Sequence, residues 1–215
     1  MDFSRESLDR EFPSRLSTIQ MNHAAVSPLP ARAVAALAEY AQLLSTRGPL
    51  AFSEMAARIT ALRETAARLL GVTKELGGAG SIAIVPNTTF GLSLVAQGLD
   101  WRPGDVVVTT ESEFPANLTP WLDLARHGVE VRRIPTRDGA FTAEEIFAAC
   151  DPRTRLVSLS LVAYHTGFVA PAAEIGAFCR GNGIVFGLDA EWITAPEARS
   201  PPEPPRDAEL PAAFR

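Results

Sequence analysis

An α/β fold, with a three-layer, mostly parallel sheet carrying helices on both faces, is predicted by three features of the sequence. Short β-branched apolar runs recur at 82–85, 106–110, 129–134, 156–160 and 184–188. Between them lie stretches of helical period, and the junctions carry turn and capping residues such as Arg102-Pro103-Gly104-Asp105 and the box Thr142 to Glu145. Strands that alternate with helices imply crossovers and hence parallel pairing.

In chain order, residues 1–30 form an N-terminal arm and a proline-containing loop. A helix is expected over 31–44, and a second over 52–70, where Met55, Ile59, Leu62, Ala66, Leu69 and Leu70 make an apolar stripe that Gly71 ends. Gly77 to Gly80 precedes a strand, whereas a dinucleotide loop must follow one, so that segment is a connector. The stretch SIAIVPNTTFGLSLVAQGL is the organising element: a strand at 82–85, a break at Pro86, and a helix capped by Asn87. Strand 106–110, helix 116–127, strand 129–134, a helix from the capping box to Cys150, strand 156–160, helix 172–182 and strand 184–188 follow in turn. The division expected is an arm at 1–30, a partial large domain at 31–190 and a proline-rich tail at 191–215.

Composition narrows the function. A net charge of -5 without a basic cluster argues against a nucleic-acid surface. Cys150 and Cys179 have no metal-ligand spacing and the three histidines are scattered, so no metal site is expected. No stretch is long and apolar enough to span a bilayer, and no leader pattern opens the chain, which leads to the expectation of a cytoplasmic protein. Neither G-x-S-x-G nor a phosphate loop of the G-x-x-x-x-G-K type is present, which argues against an α/β hydrolase or nucleotide-binding domain.

Ligands of parallel α/β sheets bind past the carboxyl ends of the strands. Here those ends are 87–89, 111–117, 161–167 and Asp189. A helix start with Thr88 and Thr89 suits a phosphate. Phe114 offers an aromatic face, and Asp189 a carboxylate that keeps a ring nitrogen protonated. Each residue alone has an ordinary reading as cap, rim aromatic or turn. Together on one rim they suit a flat, phosphorylated nitrogen heterocycle.

The segments MNHAAVSPLP, PNTTFGLSLVAQGL, TTESEFPANLTPW, SLVAYHTGFVAP and VFGLDA resemble the class V aminotransferases of the fold-type I pyridoxal-phosphate enzymes, a group that includes cysteine desulfurases, kynureninase and isopenicillin N epimerase-like proteins. The resemblance runs from Met21 to Ala190. It implies pyridoxal 5'-phosphate as cofactor, with Thr88 and Thr89 on its phosphate, Phe114 stacked on its ring, Tyr164 near its phenolic oxygen or phosphate, and Asp189 on its pyridine nitrogen. Asn22 and His23 match the segment at the active-site entrance. An amino-acid substrate and a homodimer are implied as well. EFPAN with VAYHTG looks closer to the epimerase-like and kynureninase-like branches.

The resemblance stops at Ala190. The family continues with a glutamine two residues later and then a lysine that holds the cofactor covalently, but here Glu191 and Trp192 follow and Lys74 is the only lysine in the sequence. The tail has no structural period and reads as disordered or out of frame. The expectation is therefore a cofactor-binding portion that is inactive alone, holds its cofactor weakly and without a covalent bond, and tends to associate through uncovered apolar surface. The alternative is a non-catalytic module that binds a phosphorylated ligand or dimerises.

Overall fold

Ser4 starts the first helix, its hydroxyl accepting the Ser7 amide, so the N-terminal arm carries α1 (Arg5–Glu11) and a 3-10 turn at Pro13–Leu16. The computed structural model describes residues 4–21 and 26–191. Asn22, His23 and the tail from Trp192 onward lie outside the described residues.

The chain divides into two compact units, Met1–Ala83 and Ile84–Arg215. The first holds α1, α2 (Ala31–Arg47) and α3 (Phe52–Leu69), with α2 joined to α3 through a 3-10 turn at Gly48–Ala51. Ion pairs tie it together. Arg32 forks onto Glu11, and Arg58 reaches both Glu39 and Glu54. Of these two helices and the turn between them, only Ala51 and Ala67 are buried. The apolar stripe expected on α3 forms but stays open to solvent, with Ile59 and Leu62 about half exposed at 53% and 51%.

In the second unit, α4 (Thr88–Gly98) begins where Asn87 Oδ1 accepts the Phe90 amide at 2.8 Å. Gly91 lets it run close to the preceding chain, because a Cβ there would stand 3.3 Å from Val85 Cγ2. Residues 82–85, expected as a strand, form none. A strand exists only by pairing, and no described segment hydrogen-bonds to this one in a ladder.

Five consecutive residues, VVVTT, make β1 (Val106–Thr110), and all five are buried. Such a strand requires neighbours on both edges and cover on both faces. It pairs in parallel with β2 (Glu130–Ile134) on one side and β3 (Thr154–Ser160) on the other. Beyond β3 lies β4 (Val185–Asp189), so the order is β2-β1-β3-β4.

Helices cover both faces. On one, α4 and α5 (Pro115–Leu122, extended by a 3-10 turn at Asp123–His127) bury Ala96, Trp121 and Leu124 against Val107 and Leu156. On the other, α6 (Ala143–Ala149) and α7 (Ala172–Gly181) bury Ile146, Ile175 and Cys179 against Val106, Val108, Val157 and Leu159. The capping box at Thr142 and Glu145 forms as expected. Burial pushes the Cys179 thiol up to about 12, as suits a core residue with no thiolate chemistry.

The amino ends of the strands are clamped by charge. Arg132 bonds Glu130 and Asp151, Arg153 joins the same two carboxylates, and Arg155 meets Asp105. The Arg132 guanidinium, followed by the Arg153 amide, holds the Asp151 carboxyl down at about 2. Because the folded value is depressed, this contribution is present above the unfolded value of about 4 and lost as pH falls toward 2. Asp151→Asn should flatten the fall in urea midpoint across that window, and a midpoint curve parallel to wild type would contradict it.

Trp121 is fully buried, yet its indole N–H has no acceptor among the described residues. Trp121→Phe should therefore cost little beyond the smaller ring, whereas Trp121→Ala should cost about 3–5 kcal/mol. Denaturant unfolding of both variants checks this, and near-equal losses would sink it.

Candidate cofactor site at the carboxyl rim of the sheet

The path of the chain locates the site. From β1 it moves outward to β2, then returns past β1 to β3 and on to β4. The helices after β1 and after β2 consequently lie on opposite faces. Open α/β sheets take their ligands beyond the carboxyl ends of the strands at such a reversal, here those of β1 and β3.

Glu113 lies buried at this reversal, between the ends of β1 and β3. The residue is 8% exposed, and its carboxylate accepts from Thr110 Oγ1 at 3.2 Å, Asn117 Nδ2 at 2.8 Å and the Ser160 amide and hydroxyl at 3.1 and 2.6 Å. Ser158 Oγ then donates to Asn117 Oδ1 at 2.7 Å. One carboxylate thus joins the β1–α5 loop, the first turn of α5 and the end of β3. The segment EFPAN carries this residue, but its role was not foreseen. The available signal was an acidic residue between a strand end and a helix start, flanked by Thr110 and Asn117.

Phe114 is the next residue and caps α5, with Pro115 at the first helical position. Its ring meets Tyr164 edge-on, with centroids 5.1 Å apart. Tyr164 sits in a tight loop after β3, closed by the Val162–Val169 bridge and by the Ala163 amide donating to Phe168 O. Gly139 presses on this loop with φ +79°, where a Cβ would stand 2.8 Å from Thr166 Oγ1. His165 packs against Tyr164 with centroids 4.8 Å apart.

Asp189 ends β4, and its carbonyl accepts the Leu161 amide at 2.7 Å, which joins it to the base of the Tyr164 loop. Its carboxylate accepts the Glu191 amide at 3.0 Å, and Glu191 Oε2 accepts from Thr88 Oγ1 at 3.2 Å. The structure therefore joins Thr88 to Asp189 through Glu191, and Phe114 to Tyr164 by ring contact. Thr89 turns to a separate cleft of about 240 Å³ between α4 and α5, which it shares with Ser93, Gln97 and Pro120. Lys74 belongs to the first unit.

The chemistry of this donor set fits a phosphorylated pyridine. The first amides of α4 lack intrahelical acceptors, and since Asn87 takes that of Phe90, those of Thr88 and Thr89 remain for an anion. Asp189 supplies the acceptor for a ring N–H, and Phe114 with Tyr164 supplies aromatic surface. One group is out of keeping, namely the Glu191 carboxylate on Thr88.

The class V aminotransferase family model matches residues 19–191, and the chain belongs to that pyridoxal-phosphate-dependent family. It is 31% identical over 204 residues to a cysteine desulfurase of Klebsiella pneumoniae, covering 88% of this chain and 49% of that protein. It is 31% identical over 182 residues to isopenicillin N epimerase of Streptomyces clavuligerus, covering 80% and 44%. A solved structure of C-DES with glycine covalently linked to its pyridoxal-phosphate cofactor matches with a TM-score of 0.76 and 28% identity, over 86% of this chain and 50% of that one. The cystine C–S lyase C-DES with its product cysteine persulfide matches with a TM-score of 0.75 and 29% identity, over 85% and 50%. The chain spans about half the length of the relatives it matches. Among the described residues no helix is long and apolar enough to cross a membrane, and no group of side chains could hold a metal ion.

Removing the buried carboxylate should be felt throughout the rim. Glu113→Ala strands four donors and should cost about 3 kcal/mol or more, whereas Glu113→Gln keeps the shape, loses part of the network and should cost about half as much. Urea denaturation of both variants measures this, and two equally small losses would show that the network carries no weight.

Proposed function

We propose that this chain is the cofactor-binding portion of a class V aminotransferase-type enzyme, and that it binds pyridoxal 5'-phosphate reversibly at the carboxyl rim. The observation that carries the reading is the nearness of the α4 amino terminus to the Asp189 carboxylate, each within hydrogen-bond reach of the single residue Glu191. The family membership and the cofactor seen in C-DES support it.

Each residue has a definite task in this reading. The Thr88 and Thr89 amides and the Thr88 hydroxyl bind the phosphate, the Thr89 side chain being turned to the cleft between α4 and α5. Phe114, braced edge-on by Tyr164, covers one ring face. Asp189 holds a proton on the pyridine nitrogen, and Glu113 between the ends of β1 and β3 fixes the loop that carries Phe114. Once bound, the cofactor supplies an electron sink for amino-acid chemistry. Asn22 and His23, outside the described residues, are proposed for the substrate entrance from the resemblance of MNHAAVSPLP to the family. Exposed apolar residues of the two long N-terminal helices, Leu37, Tyr40 and Leu62 among them, support association with a second copy.

The 215-residue polypeptide alone is proposed to have no transaminase, desulfurase or epimerase turnover, because Lys74 is its only lysine and precedes the rim segments in sequence, whereas the resemblance implies a cofactor-holding lysine after Asp189. The same lysine count favours a second reading, a non-catalytic module for a phosphorylated ligand. Titration with pyridoxal phosphate, followed by borohydride treatment, separates the readings. Reversible binding that is weakened at least tenfold by Asp189→Asn and leaves no reduced adduct is the expected result. Binding indifferent to Asp189 points to the phosphate-only module, and amino-acid turnover by the purified chain would falsify the proposed inactivity.

A further inference from the structure

Glu191 is a charged side chain in contact with Thr88, a residue assigned to the phosphate, and its backbone contacts Asp189, the residue assigned to the pyridine nitrogen. The Glu191 amide donates to Asp189 Oδ1 at 3.0 Å, which turns the chain back toward α4 after β4 ends. From that turn Glu191 Oε2 accepts the Thr88 hydroxyl at 3.2 Å. A carboxylate there is favoured by the positive end of the α4 macrodipole and by the amides that the helix leaves unpaired. It takes the Thr88 hydroxyl, one of the donors that an incoming phosphate would use.

We propose that Glu191 is a built-in competitor for the ligand phosphate, an internal anion that must leave Thr88 before pyridoxal phosphate can be held. This rests on the cofactor site of the preceding section and adds a device that sets how tightly the site binds. The physical reasons are two. The Thr88 hydroxyl has one proton, and donating it to Glu191 withholds it from the phosphate. A carboxylate left within a few ångströms of a phosphate repels it, and that repulsion weakens as salt rises. Glu191 is exposed, so its side chain swings away into solvent without uncovering any core. Meanwhile its backbone bond to Asp189 can remain. The contact is thus reversible and specific to the phosphate end of the ligand.

The test compares the full 215-residue chain with Glu191→Gln and Glu191→Ala by equilibrium dialysis against pyridoxal phosphate and against pyridoxal, which lacks the phosphate. Both variants should bind pyridoxal phosphate about tenfold more tightly than wild type, with pyridoxal affinity unchanged within twofold. The gain for Glu191→Gln should shrink at 1 M salt, since it comes from removing a charge. Equal pyridoxal-phosphate affinity in wild type and both variants overturns the competitor role. If Asp189→Asn still weakens binding in that case, the site itself stands. A gain shared equally by pyridoxal overturns it too, because the effect is then not on the phosphate. If no chain binds pyridoxal phosphate, this inference and the cofactor site fail together.

Discussion

Everything at the rim depends on a buried carboxylate placed where the sheet reverses direction. The connection out of β1 and the connection out of β3 lead to helices on opposite faces, so nothing in the backbone ladder ties their two loops together above the sheet. Glu113 supplies that tie through hydrogen bonds to both. Burying a charge is costly unless donors surround it, and here the hydroxyls of Thr110 and Ser160, the Asn117 amide and the Ser160 backbone do so. Phe114 inherits its position from this anchor, and Tyr164 its position from the loop that begins at Ser160 and packs back onto Phe114.

The two ends of the sheet divide the labour. At the amino ends, arginines and carboxylates pair with one another in a partly exposed cluster that holds β2, β3 and the α6 end in place. At the carboxyl ends the polar groups are hydroxyls, amides and carboxylates directed at one another. Neutralised charge at one end and unspent hydrogen-bonding capacity at the other are what a scaffold with a one-sided ligand rim requires. The thiol of Cys179, sealed between α7 and the sheet, has no part in this chemistry.

Features set by neighbours in sequence were legible. The β1 run, the Asn87 cap, the Thr142 box and the end of β4 at Asp189 all follow from residues within four positions of one another. Features set by distant partners were not. The apolar run at 82–85 has the composition of a strand but lacks a paired edge, and composition carries no information about pairing. Glu113 depends on Ser160, 47 residues away, and Glu191 on Thr88, 103 residues away. The rim rule placed Phe114 and Tyr164 near each other from sequence alone, because it uses only the order of strand ends. Which oxygens would meet there depends on loop conformation, which no periodicity encodes.

The strand order also bears on how the second unit assembles as it is synthesised. β1 is made first and becomes the centre. β2 then joins one free edge, β3 the opposite one, and β4 extends the sheet beyond β3. At no stage must a new strand insert between two already paired. Each addition closes a loop of a few tens of residues, whose entropy must be lost before the parallel pairing is made, but the growing sheet never has to break strand pairs to proceed.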